Sequence, residues 1–293
     1  MQQVSIIDTF PFFQKYWKKF QNAPLGTQVE GWAAEYMAQW PELLAKQLND
    51  YSGQQVDWKK LSSQKIFPHI NGRLPAMKTA HQNIIDLFPS ICQQAYRKMD
   101  INIDIAGMVY VGIGCGGGWA TTYQSKPAIL FGFENIAECG WDGPDSISGL
   151  IAHEIGHLIQ DAWRKQAGRL YGEGAWWQLF TEGFAQRFEH IIFERDSWHE
   201  AGNPKNEWIA WYTDKRAFLA GEFLRYVAEG KDIQPFFGSR YDMDGYSQCG
   251  YFLGHEAIRA LEEAGMSMDE IAILEDPQRH LRKVLEKIAA ENA

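Results

Sequence analysis

Residues 150–159, LIAHEIGHLI, decide how the remainder of this chain is interpreted. His153 and His157 are four residues apart, so both imidazoles project from one face of a helix and can reach the same ion. Glu154 lies about 100° further round the helix axis, close enough to accept a proton from a water on that ion without binding the ion itself. The flanking apolar residues indicate a buried helix, in which an unpartnered glutamate would be costly. We therefore expect a metal site here rather than two packed core histidines.

A third ligand has to come from elsewhere in the chain, because a catalytic Zn²⁺ site takes three protein ligands. Gln160 and Trp163 stand where an H-x-x-G-x-x-H extension would need glycine and histidine, so this extension is absent. Three downstream glutamates are the alternatives: Glu173, Glu182 and Glu189. We favour Glu182, because its neighbours Gly183 and Ala185 are small enough for its helix to approach the first one closely.

The pattern formed by His153, Glu154 and His157, followed 25 residues later by Glu182, resembles the gluzincins, which are zinc metallopeptidases. The E-G-x-A sequence at Glu182 and residues 250–254, GYFLG, are most similar to the predicted zinc-dependent proteases of bacterial genomes (the DUF2268-like group). The resemblance covers residues 105–262. It implies a zincin-like metallopeptidase core, one Zn²⁺ per chain bound by His153, His157 and Glu182, and a water activated by Glu154 as general base.

A second, partial resemblance concerns residues 132–135, GFEN. They are similar to the G-x-M-E-N motif of the M1 aminopeptidases, in which the glutamate holds the free amine of the substrate. The glycine is one residue closer to the Glu-Asn pair, and Phe133 replaces the methionine. This resemblance implies that Glu134 and Asn135 bind substrate. The alternative is that Glu134 is a solvated charged residue at the end of an edge strand. Aminopeptidase and endopeptidase activity both remain open.

Peptide hydrolysis also needs a hydrogen-bond donor for the oxyanion that forms at the carbonyl. We predict Tyr251 as this catalytic residue, because it begins a helix in the segment that carries the gluzincin resemblance. Tyr246 and His255 lie within one or two helical turns and are alternatives. Core packing is the competing interpretation for each of these side chains, since the chain contains 12 tyrosines.

The remaining sequence predicts a mainly α fold with a small β-sheet, that is, an α+β class. Strands are predicted in residues 101–112 and 127–134, and we hypothesise that the second pairs with an extended peptide. The glycine cluster between them lacks a phosphate-binding signature and predicts a flexible rim or a close backbone approach to a ligand. Further helices are expected at residues 147–167, 174–195, 205–229, 247–264 and 279–291.

The apolar spacing in the first hundred residues predicts helices. Prolines, among them Pro75 and Pro89, mark the predicted breaks, where a helix begins, bends or ends. We therefore divide the chain into a helical N-terminal region, residues 1–100, and a catalytic domain, residues 101–293. The N-terminal region is either separate or integral to the catalytic domain. A length of 293 residues with 45% hydrophobic content supports one large or two ordinary domains.

The charge and the cysteine spacing indicate which partners and which cellular compartment to expect. Asp and Glu outnumber Lys and Arg by 37 to 28, which argues against a nucleic-acid groove and against adsorption to an anionic membrane. The chain has no signal-like start and no apolar run of membrane-spanning length. Four scattered cysteines without a C-x-x-C pair favour a reducing compartment, so we expect a cytoplasmic protein.

Together these observations predict a zinc-dependent peptidase that acts on a peptide or protein substrate. The alternative is a non-catalytic, zinc-stabilised protein that binds peptides or a partner through its helical N-terminal half. A structural zinc site usually has four protein ligands, whereas only three are convincing here, together with a general base at Glu154. The sequence therefore favours the catalytic interpretation.

Overall fold

The computed structural model describes residues 4–53, 55–201, 205–238, 243 and 245–292. The chain divides into two compact units, Met1–Glu154 and Ile155–Ala293. The division falls inside one continuous helix, the one that carries His153 and His157. Most described residues are helical and a small mixed sheet accompanies them, so the predicted α+β class is confirmed.

The sheet belongs to the first unit and contains four strands: β1 (Ser5–Asp8), β2 (Ala106–Tyr110), β3 (Gly118–Tyr123) and β4 (Lys126–Gly132). The strand order is β1-β2-β4-β3. Strand β2 is parallel to β1 and β4, whereas β3 is antiparallel to β4. All five residues of β2 are buried, which explains its uninterrupted apolar sequence.

Strand β4 lies between β2 and β3, so its backbone is paired on both sides. The hypothesis that residues 127–134 offer a strand edge to a peptide is therefore wrong. The edge at this end of the sheet is β3, which begins inside the glycine cluster, where the sequence predicted no strand. The cluster conceals the strand in the sequence because glycine has a low strand propensity.

The described residues of the first unit also form the helices α1 (Phe10–Phe20), α2 (Leu25–Gly31), α3 (Pro41–Gly53), α4 (Trp58–Leu61), α5 (Ile70–Met99) and α6 (Phe133–Cys139). Short π and 3₁₀ turns connect some of them. Pro75 and Pro89 lie inside α5, so the predicted breaks at these prolines are wrong. A buried apolar stripe that includes Met77, Ile84 and Phe88 holds α5 together despite the two missing N–H groups.

The helix that crosses the division is α7 (Pro144–Gln166), and the second unit adds seven helices among its described residues: α8 (Ala175–Phe193), α9 (Lys205–Asp214), α10 (Arg216–Ala228), α11 (Gln234–Phe237), α12 (Cys249–Glu263), α13 (Met268–Ala272) and α14 (Pro277–Ala289). The helix predicted over residues 205–229 is two helices, which separate at Lys215. No helix within the described ranges has the length and apolar character needed to cross a bilayer.

Glycines set two close helix contacts in the second unit. A Cβ atom on Gly183 of α8 would lie 2.4 Å from the backbone of Gly254 in α12. A Cβ atom on Gly156 of α7 would lie 3.0 Å from Ala185 of α8. We predicted that Gly183 and Ala185 both bring α8 close to α7. This is wrong for Gly183, which faces α12, and it is confirmed for Ala185, which contacts Gly156 of α7.

Candidate metal site

Helix α7 presents the H-E-x-x-H residues. It begins at Pro144, where a fixed φ suits a first helical turn, and Asp145 follows as an acidic residue near the helix N-terminus. At the other end the buried Arg164 donates to the carbonyls of Ala272 and Leu274, at 2.8 and 3.0 Å, which fixes the C-terminal turns. His153 and His157 lie on one face of this continuous helix, as their spacing predicts.

Glu182 of α8 is the downstream glutamate that reaches His157. Its Oε2 lies 3.3 Å from His157 Nε2, and about a fifth of each side chain is exposed. His153, His157 and Glu182 offer ligand atoms that all lie within 4.8 Å of one another, so the three could hold a metal ion. Two atoms bound to a tetrahedral Zn²⁺ at about 2.0–2.1 Å lie about 3.3 Å apart. The His157 and Glu182 atoms are therefore already at the separation that zinc requires.

Glu154 is held against the sheet. The Ala120 N–H of β3 donates to Glu154 Oε2 at 2.8 Å. A Cβ atom on Gly118 would lie 2.3 Å from Glu154 Oε1, so only a glycine there lets this carboxylate lie against the strand backbone. The glycine cluster thus makes a close backbone approach to the Glu154 side chain, whereas the sequence predicted a flexible rim or an approach to a ligand, which stays a prediction. Glu154 is outside the ligand group, as a general base should be.

A second group shares His153 and was missed in the sequence. His153, His199 and Glu200 also offer ligand atoms within 4.8 Å of one another, and all three residues are buried. His199 Nδ1 lies 2.8 Å from Oε2 of the buried Glu189. Carboxylates commonly orient metal-binding histidines in this way. The adjacent His-Glu pair after α8 was the available signal, but its 3₁₀ helix, His199–Ala201, is too short to show a spacing from which the direction of the side chains can be inferred.

The other two glutamates proposed as third ligand lie elsewhere. Glu189 accepts hydrogen bonds from Ser197 Oγ at 2.6 Å and Gln186 Nε2 at 3.1 Å, in addition to its contact with His199. Glu173 is exposed between α7 and α8. Among the three alternatives, Glu182 is therefore the one found with His153 and His157.

The structure places Glu134 and Asn135 in the first turn of α6 rather than at the end of a strand. Glu134 is fully buried, and its carboxylate accepts the N–H groups of Gly112 at 2.6 Å and Gly114 at 2.9 Å. Burial raises the pKa of Glu134, while these two N–H groups act in the opposite direction. Asn135 is also buried, and its Oδ1 accepts a weak bond from the Cys139 thiol at 3.9 Å.

The three side chains considered for the oxyanion make aromatic contacts in the second unit. Tyr251 lies in the first turn of α12, with its ring 5.7 Å from that of Phe237. Tyr246 stacks on Trp211 at 4.5 Å, and His255 packs against His190 at 4.1 Å. These contacts describe packing, and the catalytic role of Tyr251 stays a prediction.

Comparisons with protein-family models, with curated proteins and with solved structures found no match to this chain.

Proposed function

We propose that this protein is a zinc-dependent peptidase of the gluzincin type, with His153, His157 and Glu182 as metal ligands and Glu154 as general base. The observation that carries the proposal is the contact between His157 Nε2 and Glu182 Oε2 at 3.3 Å on two adjacent helices. Two imidazole nitrogens and one carboxylate oxygen form a common ligand set of catalytic zinc, in which a fourth position is kept for water or substrate. The partial exposure of His157 and Glu182 fits such an open site.

Bound zinc would supply Lewis acidity and lower the pKa of its water toward 7. In the proposed reaction Glu154 accepts the proton of the attacking water and returns it to the leaving amine as the peptide bond breaks. The hydrogen bond from Ala120 N–H holds one Glu154 oxygen in place and leaves the other for the proton. Tyr251 is proposed to donate a hydrogen bond to the oxyanion.

Strand β3 supports a peptide as the substrate class. Ala120 directs its N–H toward Glu154, so this side of β3 faces away from its pairing with β4. An extended chain could add to that side through backbone hydrogen bonds, which would bring a peptide bond next to the Glu154 carboxylate. The aminopeptidase version of the proposal requires Glu134 and Asn135 to hold the substrate amine, and the endopeptidase version does not.

The test compares the wild-type protein with Glu154→Gln and with Glu173→Gln, an exposed glutamate of the segment between α7 and α8. We expect one zinc per chain by metal analysis in all three proteins. We expect Glu154→Gln to hydrolyse a mixed-peptide library about 100 to 10,000 times more slowly, because it lacks the general base, and Glu173→Gln to match the wild type. A Glu154→Gln variant as active as the wild type would exclude the proposed base.

The fully buried second group favours one other function, a zinc-stabilised protein that binds peptides or a partner without hydrolysis. A closed metal site is typical of structural zinc, and His153, His199 and Glu200 are all buried. This alternative predicts bound zinc, no hydrolysis of the library by the wild type, and loss of zinc in His199→Ala. Retention of zinc in His199→Ala together with wild-type hydrolysis would exclude it.

A further inference from the structure

The glycine-rich segment of residues 112–118 is fixed at its start by Glu134. Both carboxylate oxygens are used, because Oε2 accepts the Gly112 N–H and Oε1 accepts the Gly114 N–H. A Cβ atom on Gly112 would lie 2.5 Å from Gln47 Oε1 and 2.8 Å from Glu134 Oε1, so the carboxylate closes tightly on the backbone. Gly114 has a φ of 94°, a conformation that suits glycine.

The last residue of the same segment, Gly118, lies against the side chain of Glu154. The Gly132 N–H donates to the Gly117 carbonyl at 3.0 Å, which ties the segment to the end of β4. Gly118 is also the first residue of β3 and lies against the Glu154 carboxylate, and the N–H of Ala120 in the same strand donates to this carboxylate. Seven residues of backbone thus run from one buried carboxylate to another.

We propose that Glu134 is a positioning residue for Glu154, which it serves by anchoring the segment of residues 112–118. Glu134 is fully buried and both its oxygens accept backbone N–H groups, so a substrate amine could reach its carboxylate only after the surrounding residues had moved. The segment in turn fixes the start of β3, whose backbone sets the position of the general base. The consequence for catalysis rests on the proposed peptidase function, whereas the anchoring does not.

The test uses full-length, zinc-loaded protein and the variant Glu134→Gln. A glutamine turns an N–H donor toward one of the two glycine N–H groups, which leaves that group without an acceptor. Amide hydrogen exchange in residues 112–120 should become about 10-fold faster. The rate of peptide hydrolysis should fall, and the loss should be equal for peptides with free and with acetylated N-termini. The zinc content should stay unchanged. Glu138→Gln is the matched control, since Glu138 lies one turn further on α6 and pairs with Arg73 near the surface.

Unchanged exchange in a folded Glu134→Gln protein would overturn the proposal, and a selective loss of activity on free N-termini would then assign the amine-binding role. If Glu134→Gln does not fold, amide exchange in the wild-type protein tests the anchoring by itself. The anchoring predicts amides of Gly112 and Gly114 that exchange at least about 100-fold more slowly than in an unstructured peptide, and fast exchange would overturn it. A wild type that hydrolyses no peptide would refute the peptidase, while the exchange experiment would still decide on the anchor.

Discussion

Two polar residues of helix α8, Glu182 and His190, each face a histidine of another helix. Glu182 faces His157 of α7, and about a fifth of each side chain is exposed. His190 faces His255 of α12 with ring centroids 4.1 Å apart, and both side chains are almost completely buried. Trp198 packs against both rings of this second pair, at 4.5 and 4.8 Å. The same helix therefore supports a solvent-accessible pair and a dry one.

The difference shows that the surroundings decide what a histidine can do. A carboxylate near His157 lets the pair share a cation, since ligands of both kinds bind zinc. Burial lowers the pKa of His190 to about 2, and burial also lowers the pKa of His255. Burial would raise the pKa of nearby Glu256, but the adjacent His255 and the hydrogen bonds that Arg259 donates outweigh it and lower this pKa to about 2. The charge of Glu256 is therefore already matched by Arg259, and the second pair serves as core.

The largest expected effect separates the two pairs by metal binding. His157→Ala removes one of three ligands, so we expect zinc affinity to fall by more than the 10 to 100-fold typical of outer-sphere changes. His190→Phe keeps an aromatic ring of similar size against Trp198 and should bind zinc as the wild type does. Competition with a chromophoric chelator measures both affinities. Equal losses in the two variants would contradict the distinction between the pairs.

The next effect concerns the contact that holds α8 against α12, the helix of His255. Gly183→Ala would place a Cβ atom 2.4 Å from the Gly254 backbone, and we expect it to lower the free energy of unfolding by about 3 kcal/mol. Gly221→Ala is the control, because a Cβ atom there meets nothing within 4 Å. It should stabilise the protein by about 0.5–1 kcal/mol through helix propensity. Urea unfolding measures both, and a neutral Gly183→Ala would show that the helices can separate.

Local spacing in the sequence was sufficient to place His153, His157 and Glu154 on α7 and to favour Glu182. It could not assign the neighbour of Gly183, because a small residue permits a close approach without specifying which helix approaches. The strand in residues 118–123 was missed for a related reason, since its first residue is a glycine that is required by the Glu154 side chain 36 positions later. The second group depends on His199 and Glu200 in a single 3₁₀ turn, which is too short to show a periodicity in the sequence.

The smallest effect tests the dry pair through pH. The groups that face His190 are His255, Arg187, Glu256 and Asp196, and together with burial they leave its folded pKa near 2. An unfolded histidine binds a proton near pH 6.5. The unfolded state therefore takes up a proton that the folded state does not, and this lowers stability as pH falls below 6.5. Well below pH 6.5 the contribution of His190 approaches about 1.4 kcal/mol per pH unit.

His190→Phe should remove this contribution, so the difference in unfolding free energy between variant and wild type should shift by about 1.2 kcal/mol between pH 6 and pH 5. His69→Gln, at an exposed position in the first unit, should leave the pH dependence unchanged. Urea unfolding at both pH values in the presence of a chelator gives the comparison without a contribution from metal binding. A difference between variant and wild type that is the same at both pH values would mean that His190 is protonated in the folded protein, and the dry pair would then carry a charge.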